Sequence, residues 1–348
     1  MRAIAVDVGG TSIKGIVASD TGEILARARL STPGAGSPAT PGTATTSEPH
    51  VTPPVTEVGM GSDEPARTRA ASSESDGNAA SLKPAGNHGV AMPGADVAAA
   101  IASVVEQLRA TDAGRNVDTE AVGVAVPGIV DDAAGRVVLA VNLGWENVPL
   151  RALIEEELGG PVALSQDLRS GARGEARWGV GLSDFIYLAA GTGLASTVVL
   201  DGEPFAPNPW AGEIGQLPYP TREGTVRLEE LGSARAVGAL YTRRHPDNPL
   251  DTAAVVRAAL DGDPAALDTL TTSLTALGYA IDAVRHTVGA LPVVIGGGLM
   301  NAGPRLLDML ARIMADSPSP MPAPILHAAA LGDQSQALGA AALVMPAG

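Results

Sequence analysis

Cysteine is absent from the 348 residues, which excludes disulfides and thiolate metal sites. Aromatic residues make up 3%, so the cores fall to Ala, Val, Ile and Leu. Basic residues are also scarce: 23 Lys and Arg stand against 38 Asp and Glu, a formal net charge of -15. Nucleic acid is held largely by clustered Lys and Arg, and no basic run occurs, so no nucleic-acid partner is expected. No apolar run approaches the roughly 20 residues that span a bilayer, and the five histidines lack ligand spacing. Met1-Arg2 leads directly into a short apolar segment, so a cytoplasmic location and no membrane partner are expected.

The length suffices for two domains, each with its own core. Residues 33–93 are dominated by Gly, Pro, Ala, Ser and Thr without helical or strand period, the composition of a disordered insertion. Before it, Ala3 to Val8, Ile13 to Ala18 and Ile24 to Arg29 are predicted strands. After it come a helix over Asp96 to Arg109 and a Val-rich strand, Ala121 to Val126, that stops at Pro127-Gly128. The same grammar returns later: strand Phe185 to Ala190, turn Gly191-Thr192-Gly193, strand Ala195 to Leu200 and a tight turn at Asp201-Gly202. A strand Pro292 to Ile295 runs into Gly296-Gly297-Gly298, with helices near Arg305 to Ala315 and from Gln334 to Val344. The pattern is α/β with duplicated lobes around a cleft. The expected division is an amino-terminal lobe over 1–141, a second lobe over 142–331 and a helix within 332–348 returning to the first lobe.

The bend Asp7-Val8-Gly9-Gly10-Thr11-Ser12-Ile13-Lys14 joins two strands, which distinguishes it from a P-loop or dinucleotide fingerprint. Its chemistry still suits phosphate: glycines admit oxygens to backbone N–H groups, Thr11 adds a hydroxyl and Lys14 a positive charge. An ordinary Gly-Gly hairpin has the same residues. The second turn, Gly191-Thr192-Gly193, tips the balance, because two such turns in equivalent lobes face one another across a cleft as a triphosphate requires. Asp7 would then organise Mg²⁺ through water. Gln166-Asp167 lies between a strand, Pro161 to Leu164, and a helix, a place where Asp serves equally as helix cap or as general base.

Asp7 to Lys14, Gly123-Val124-Ala125-Val126-Pro127-Gly128, Gly191 to Gly193, Gly212-Glu213-Ile214-Gly215, Gly296 to Gly298 and Leu331-Gly332-Asp333 to Gly339-Ala340-Ala341 together resemble the ROK family of repressors, open reading frames and kinases. The resemblance implies duplicated actin-like ATPase (ribonuclease H-like) lobes, ATP with Mg²⁺, a small-molecule hexose or amino-hexose, and often a homodimer. It makes Asp167 the catalytic base, Gln166 the counterpart of a sugar-contacting Asn, and Glu213 and Glu229 sugar ligands, with Glu230 a rival for the latter. Gly128 joins the sugar side, and Gly9, Gly10, Thr11, Lys14, Gly191, Thr192, Gly193, Gly297 and Gly298 the nucleotide side. Trp145 and Asn142 fall in a stretch similar to an Asn-Leu-x-x-Trp segment, with packing and loop roles.

The chain departs from that family at a structural zinc site. Gln216 replaces the His that follows Glu-Ile-Gly, and Val226-Arg227 precede Leu228 without the cysteine cluster, so no zinc is expected. A repressor with an amino-terminal helix-turn-helix is not expected, since the phosphate turn begins within ten residues of Met1. A nucleotide-binding protein without transferase activity and an actin-like scaffold stay open. For a kinase, the 6-hydroxyl is the expected acceptor. Gln166 is one methylene longer than Asn and is expected to intrude on the sugar's 3- and 4-positions. Glu213 and Glu229 give the pocket negative character, which suits an amino-hexose such as kanosamine or glucosamine, with glucose the alternative.

Overall fold

A computed structural model describes residues 1–33, 92–316 and 320–346, so the insertion expected at 33–93 lies almost wholly outside the described residues. All that follows concerns one unit, built from the residues on either side of 36–91.

Three antiparallel strands open the chain, β1 (Arg2–Val8), β2 (Ser12–Ser19) and β3 (Ile24–Ser31). Helix α1 (Ala95–Arg109) follows, then β4 (Val122–Val126), the short antiparallel strands β5 (Ile129–Asp131), β6 (Arg136–Ala140) and β7 (Trp145–Val148), helix α2 (Leu150–Leu158), and β8 (Val162–Gln166) leading into α3 (Asp167–Trp178). The first sheet runs β3-β2-β1-β4-β8, with β4 parallel to both β1 and β8. Val162–Gln166 therefore belongs to the first sheet, beyond the division expected at 141/142. The cause is the parallel pairing of β4 with β8, whose connection passes through the β5–β7 sheet and α2.

Alternation along these strands decides what packs on each face. Ile4, Val6, Val8, Val122, Val124 and Val126 fill a core with α1 and α2, whereas Ala3, Ala5 and Ala125 meet α9 (Ser335–Ala342) on the other side. Small residues let that helix come close: a Cβ at Gly123 would lie 1.9 Å from the Ala340 carbonyl oxygen.

The second lobe repeats the plan with β9 (Phe185–Ala190), β10 (Leu194–Leu200) and β11 (Glu203–Phe205), a hairpin of β12 (Pro218–Thr221) and β13 (Gly224–Arg227), and helices α4 (Glu229–Gly232), α5 (Ala234–Arg244), α6 (Thr252–Leu260) and α7 (Pro264–Val288). Strand β14 (Val293–Gly296), helix α8 (Pro304–Ala315) and β15 (Leu326–Ala328) complete it. Its sheet order, β11-β10-β9-β14-β15, reproduces the first: an antiparallel trio followed by two parallel strands. Ile186, Leu188 and Ala190 face the large helical core, and Phe185 and Tyr187 face Leu168 and Ala172 of α3.

Helices α3 and α9, one on each sheet, cross at backbone contact. A Cβ at Gly339 would sit 1.5 Å from the Ser170 carbonyl oxygen, and one at Gly174 would sit 2.6 Å from that of Ser335. Beside the crossing, the buried Glu175 carboxylate accepts hydrogen bonds from the amides of Ala330 (2.9 Å) and Leu331 (2.8 Å). Trp145 is buried in the first core, a packing role. Among the described residues no helix is long and apolar enough to cross a membrane.

Candidate active site

Tight pairing of β1 and β2 makes the first turn. Gly9 N–H donates to the Ser12 carbonyl (2.9 Å), and the Thr32 hydroxyl donates to the Gly9 carbonyl (2.7 Å). Gly10 and Thr11 protrude, and a Cβ on Gly10 would meet no heavy atom within 4 Å, so the space over this backbone is free for a ligand. Asp7 ends β1 and is buried. Burial raises its carboxyl to about 6; Lys14, whose Nζ lies 4.0 Å from Asp7 Oδ2, opposes the rise and nearby Asp333 adds to it.

The second turn sits at the equivalent place between β9 and β10, closed by Gly191 N–H to the Gly193 carbonyl (3.0 Å). It borders a cavity of about 710 Å³ lined by Gly191, Thr192, Arg235, Val256, Arg257 and Gly298, among others. Gly298 opens a single 3-10 turn, and a Cβ there would again meet nothing within 4 Å. Gly297 is a packing glycine: its φ is 92° and its Cβ would lie 2.4 Å from the Ala190 carbonyl oxygen. Arg235, Val256 and Arg257 gave no local sequence signal, since two separate helices bring them to the cavity. Gly9, Gly10 and Thr11 are not among its lining residues.

Asp167 opens the helix that follows β8. Gln166 occupies the N-cap position of α3 and makes no side-chain cap bond, so Asp167 is the first helical residue. Its Oδ1 accepts from the Leu168 amide at 2.7 Å. Burial pushes the carboxyl up to about 7; that hydrogen bond opposes the rise, and the carboxylates of Asp7 and Glu213 reinforce it. Asp167 thus stands within electrostatic reach of both Asp7 and Glu213.

Gln166 is fully engaged by the protein. Its Nε2 donates to the Gly128 carbonyl (2.9 Å) and reaches Glu213 Oε1 (3.5 Å), while its Oε1 accepts from Arg169 Nη1 (2.9 Å). The amide expected to intrude on a sugar is instead turned into this network. Glu213 is half-buried; burial raises its carboxyl, the Gln166 amide lowers it and the Glu229 charge raises it. Glu229 Oε1 accepts from Gln216 Nε2 (3.2 Å) and pairs with Arg227 Nη1 (3.0 Å), and its Oε2 would lie 3.1 Å from a Cβ on Gly193. Glu230 is more exposed and holds Arg227 Nε at 3.1 Å, so geometry separates it from Glu229. Arg227 offsets part of the negative charge expected here.

With this arrangement in view, a model of the ROK family matches residues 80–347. The chain belongs to the ROK family. Its relatives include a xylose repressor from Caldicellulosiruptor bescii, 35% identical over 115 residues (32% of this chain, 29% of that protein). A glucokinase from Halalkalibacterium halodurans is 30% identical over 214 residues (55% and 64%). A kanosamine kinase from Amycolatopsis mediterranei is 32% identical over 244 residues (64% and 76%). The chain thus spans less than two thirds of the repressor and of the glucokinase. A solved ROK glucokinase from Streptomyces griseus, in complex with glucose and AMPPNP, superposes with TM-score 0.68 over 99% of both chains at 22% identity. The fold is that of ROK kinases, the actin-like ATPase fold.

The ROK match begins at residue 80, so the first turn rests on its topological equivalence to the second. The structure brings Asp7, Asp167, Gln166, Gly128, Glu213, Gln216, Glu229 and Gly193 into one connected region, and Gly191, Thr192 and Gly298 to the adjoining cavity. Sequence reasoning passed over Asp132 and Arg169. Arg169 is only 4% exposed, and its guanidinium meets Asp132 through Nε (3.1 Å) and Nη2 (2.6 Å). The one signal was an Arg three residues after Gln166 on a helix face that the apolar pattern already marks as buried. Between Glu213 and Glu229 the chain builds the β12–β13 hairpin, with Tyr219 edge-on to Tyr279 at 5.3 Å.

Proposed function

We propose that this chain is an ATP-dependent kinase that phosphorylates the 6-hydroxyl of a hexose, with an amino-hexose as preferred substrate. The observation that carries the reading is Asp167, a carboxyl raised to about 7 within electrostatic reach of both Asp7, beside the open glycine turn, and Glu213. A general base works best when its pKa lies near the operating pH. Leu168 N–H occupies Oδ1, which leaves Oδ2 to take the proton.

The bound nucleotide supplies the phosphoryl group. The sugar's 6-oxygen forms a bond to the terminal phosphorus, the bond to the β-phosphate oxygen breaks, and the hydroxyl proton passes to Asp167. Such transfers proceed through a loose transition state, so this chain's part is positioning and charge compensation. Gly10, Gly191 and Gly298 present open backbone to phosphate and Thr11 and Thr192 add hydroxyls, while the cavity beside Arg235 and Arg257 takes the rest of the nucleotide. Asp7 suits a hydrated cation: its buried carboxylate has the Lys14 amine no closer than 4.0 Å. Mg²⁺ keeps several waters and needs few carboxylates, and when bound it would neutralise charge on the phosphates. Among the described residues no group of three His, Cys, Asp or Glu is placed to hold a metal by itself.

The amino-hexose preference is supported by the unspent oxygens of Glu213 and Glu229, which favour a charge-assisted hydrogen bond over a neutral one, and by similarity to a kanosamine kinase. ADP formation with glucose, glucosamine, kanosamine and N-acetylated hexoses tests this. Sugar-dependent ADP formation led by an amino-hexose is the expected result, and a neutral or N-acetylated sugar leading the panel overturns the preference. Likeness to a xylose repressor supports a second reading, a sugar-responsive regulator. That reading expects sugar binding without ADP formation.

A further inference from the structure

Arg169 is a buried charge to which the reaction proposed above gives no task. It is 4% exposed, and a guanidinium removed from water carries a large desolvation cost that only pairing offsets. Four of its five N–H donors are paired. Nε and Nη2 meet the two oxygens of Asp132 (3.1 and 2.6 Å), Nη2 also donates to the Val130 carbonyl (2.7 Å), and Nη1 donates to Gln166 Oε1 (2.9 Å). Asp132 is itself tied down by the Ser165 hydroxyl (2.7 Å) and the Gln166 amide N–H (3.2 Å). The ion pair therefore grips both the backbone and the side chain of the residue immediately before Asp167.

The consequence is felt at the sugar side. A primary amide has one oxygen and one NH₂, and it can rotate to exchange them. Arg169 permits one orientation, because the other would face its N–H groups with NH₂ and set Oε1 against the oxygens of Gly128 and Glu213. So fixed, Gln166 Nε2 lies 2.9 Å from the Gly128 carbonyl and 3.5 Å from Glu213 Oε1. Glu213 is oriented by a neutral donor, while the arginine pairs directly with Asp132 and acts on Glu213 only from a distance, where its charge lowers the carboxyl. Its carboxylate thus keeps its negative charge and a free Oε2 for a ligand. A cation in direct contact would have held it as firmly and cancelled that charge.

We propose that the Asp132–Arg169 pair is a positioning device for the sugar site: acting through the Gln166 amide, it aims Glu213 at the substrate without neutralising it. The proposal rests on the reading of Glu213 as a sugar ligand. Isothermal titration of wild type, R169M, Q166A and the double variant with glucose, glucosamine and kanosamine, and separately with AMPPNP, tests it without needing turnover. R169M is expected to weaken the best-bound sugar about tenfold or more, the range of a lost charge-assisted hydrogen bond, and to leave AMPPNP within twofold. In the Q166A background the same change is expected to add less than threefold, because the amide that transmits it is gone. Equal losses in both backgrounds, or a matching loss of AMPPNP affinity, overturn the proposal. Should R169M lack a cooperative melt, R169K carries the same comparison, since lysine keeps the buried charge but cannot reach all three partners. A wild type that binds AMPPNP but none of the sugars overturns the sugar-site reading itself, a result distinct from loss of coupling.

Discussion

Replacing Asp167 by Asn separates what the carboxyl does for chemistry from what it costs the fold. In the folded chain its pKa is about 7, against an ordinary 3.8. Between those values the native state retains a proton that the unfolded chain has released, so wild-type stability falls as pH rises towards 7 and then levels off. Asparagine has no proton to lose and keeps an oxygen for the Leu168 amide, so D167N lacks that fall. At about 1.4 kcal/mol per tenfold in acidity, the gap is at most about 4 kcal/mol. Water in the cleft and solvent screening reduce it to on the order of 1–2 kcal/mol. For a chain of this size that is roughly 1–3 °C in Tm. The expected result is a higher Tm for D167N than for wild type by a margin that widens from pH 5 to pH 8, with kcat reduced at least about a hundredfold, the usual size of a general-base effect. Identical Tm at both pH values would show that the carboxyl is not desolvated, and retention of more than about a tenth of kcat would move the base elsewhere.

Further expectations concern the turns and the helix crossing. The kcat/KM of the wild type should climb with pH to a plateau above about 7, as Asp167 loses its proton, and a profile flat from pH 5 to 8 contradicts the assignment. Gly10→Val should melt like the wild type, because its Cβ meets nothing, yet bind AMPPNP at least about tenfold more weakly by titration; unchanged affinity would remove the first turn from the nucleotide site. Glu175→Ala should cost about 2–4 kcal/mol in a denaturant melt by stranding the amides of Ala330 and Leu331, with Glu175→Gln much milder. Gly339→Ala should destabilise by more than the usual overpacking range of about 1–3 kcal/mol, since its Cβ meets backbone rather than a movable side chain; a near-native melt would mean the helices can part there.

Local grammar made much of this legible in the sequence. Strands Phe185–Ala190 and Ile24–Ser31 and both glycine turns follow from alternation and turn chemistry, which act over a few residues. The duplicated sheet order follows from repeating that grammar. Asp132 and Arg169 were not legible because an ion pair between residues 37 apart carries no period, and it forms only once β4, β5 and β8 are aligned. The membership of Val162–Gln166 in the first sheet was missed for the same reason: parallel pairing leaves no turn to mark it. Gln166 was judged by side-chain length alone, whereas its direction is set by partners on three other segments.

The face of the first sheet made by Ala3, Ala5, Gly123 and Ala125 has its cover in α9, which lies far along the chain. On a ribosome adding about 5–20 residues per second, the roughly 210 residues between the end of β4 and α9 take about 10–40 s to follow. For that interval β1, β2 and β4 can pair, but they show one apolar face to the surroundings. The first lobe is thus the earliest to be synthesised and among the last to be finished. A nascent chain arrested before residue 335 should expose that face to chaperones and proteases, and one released beyond 342 should not.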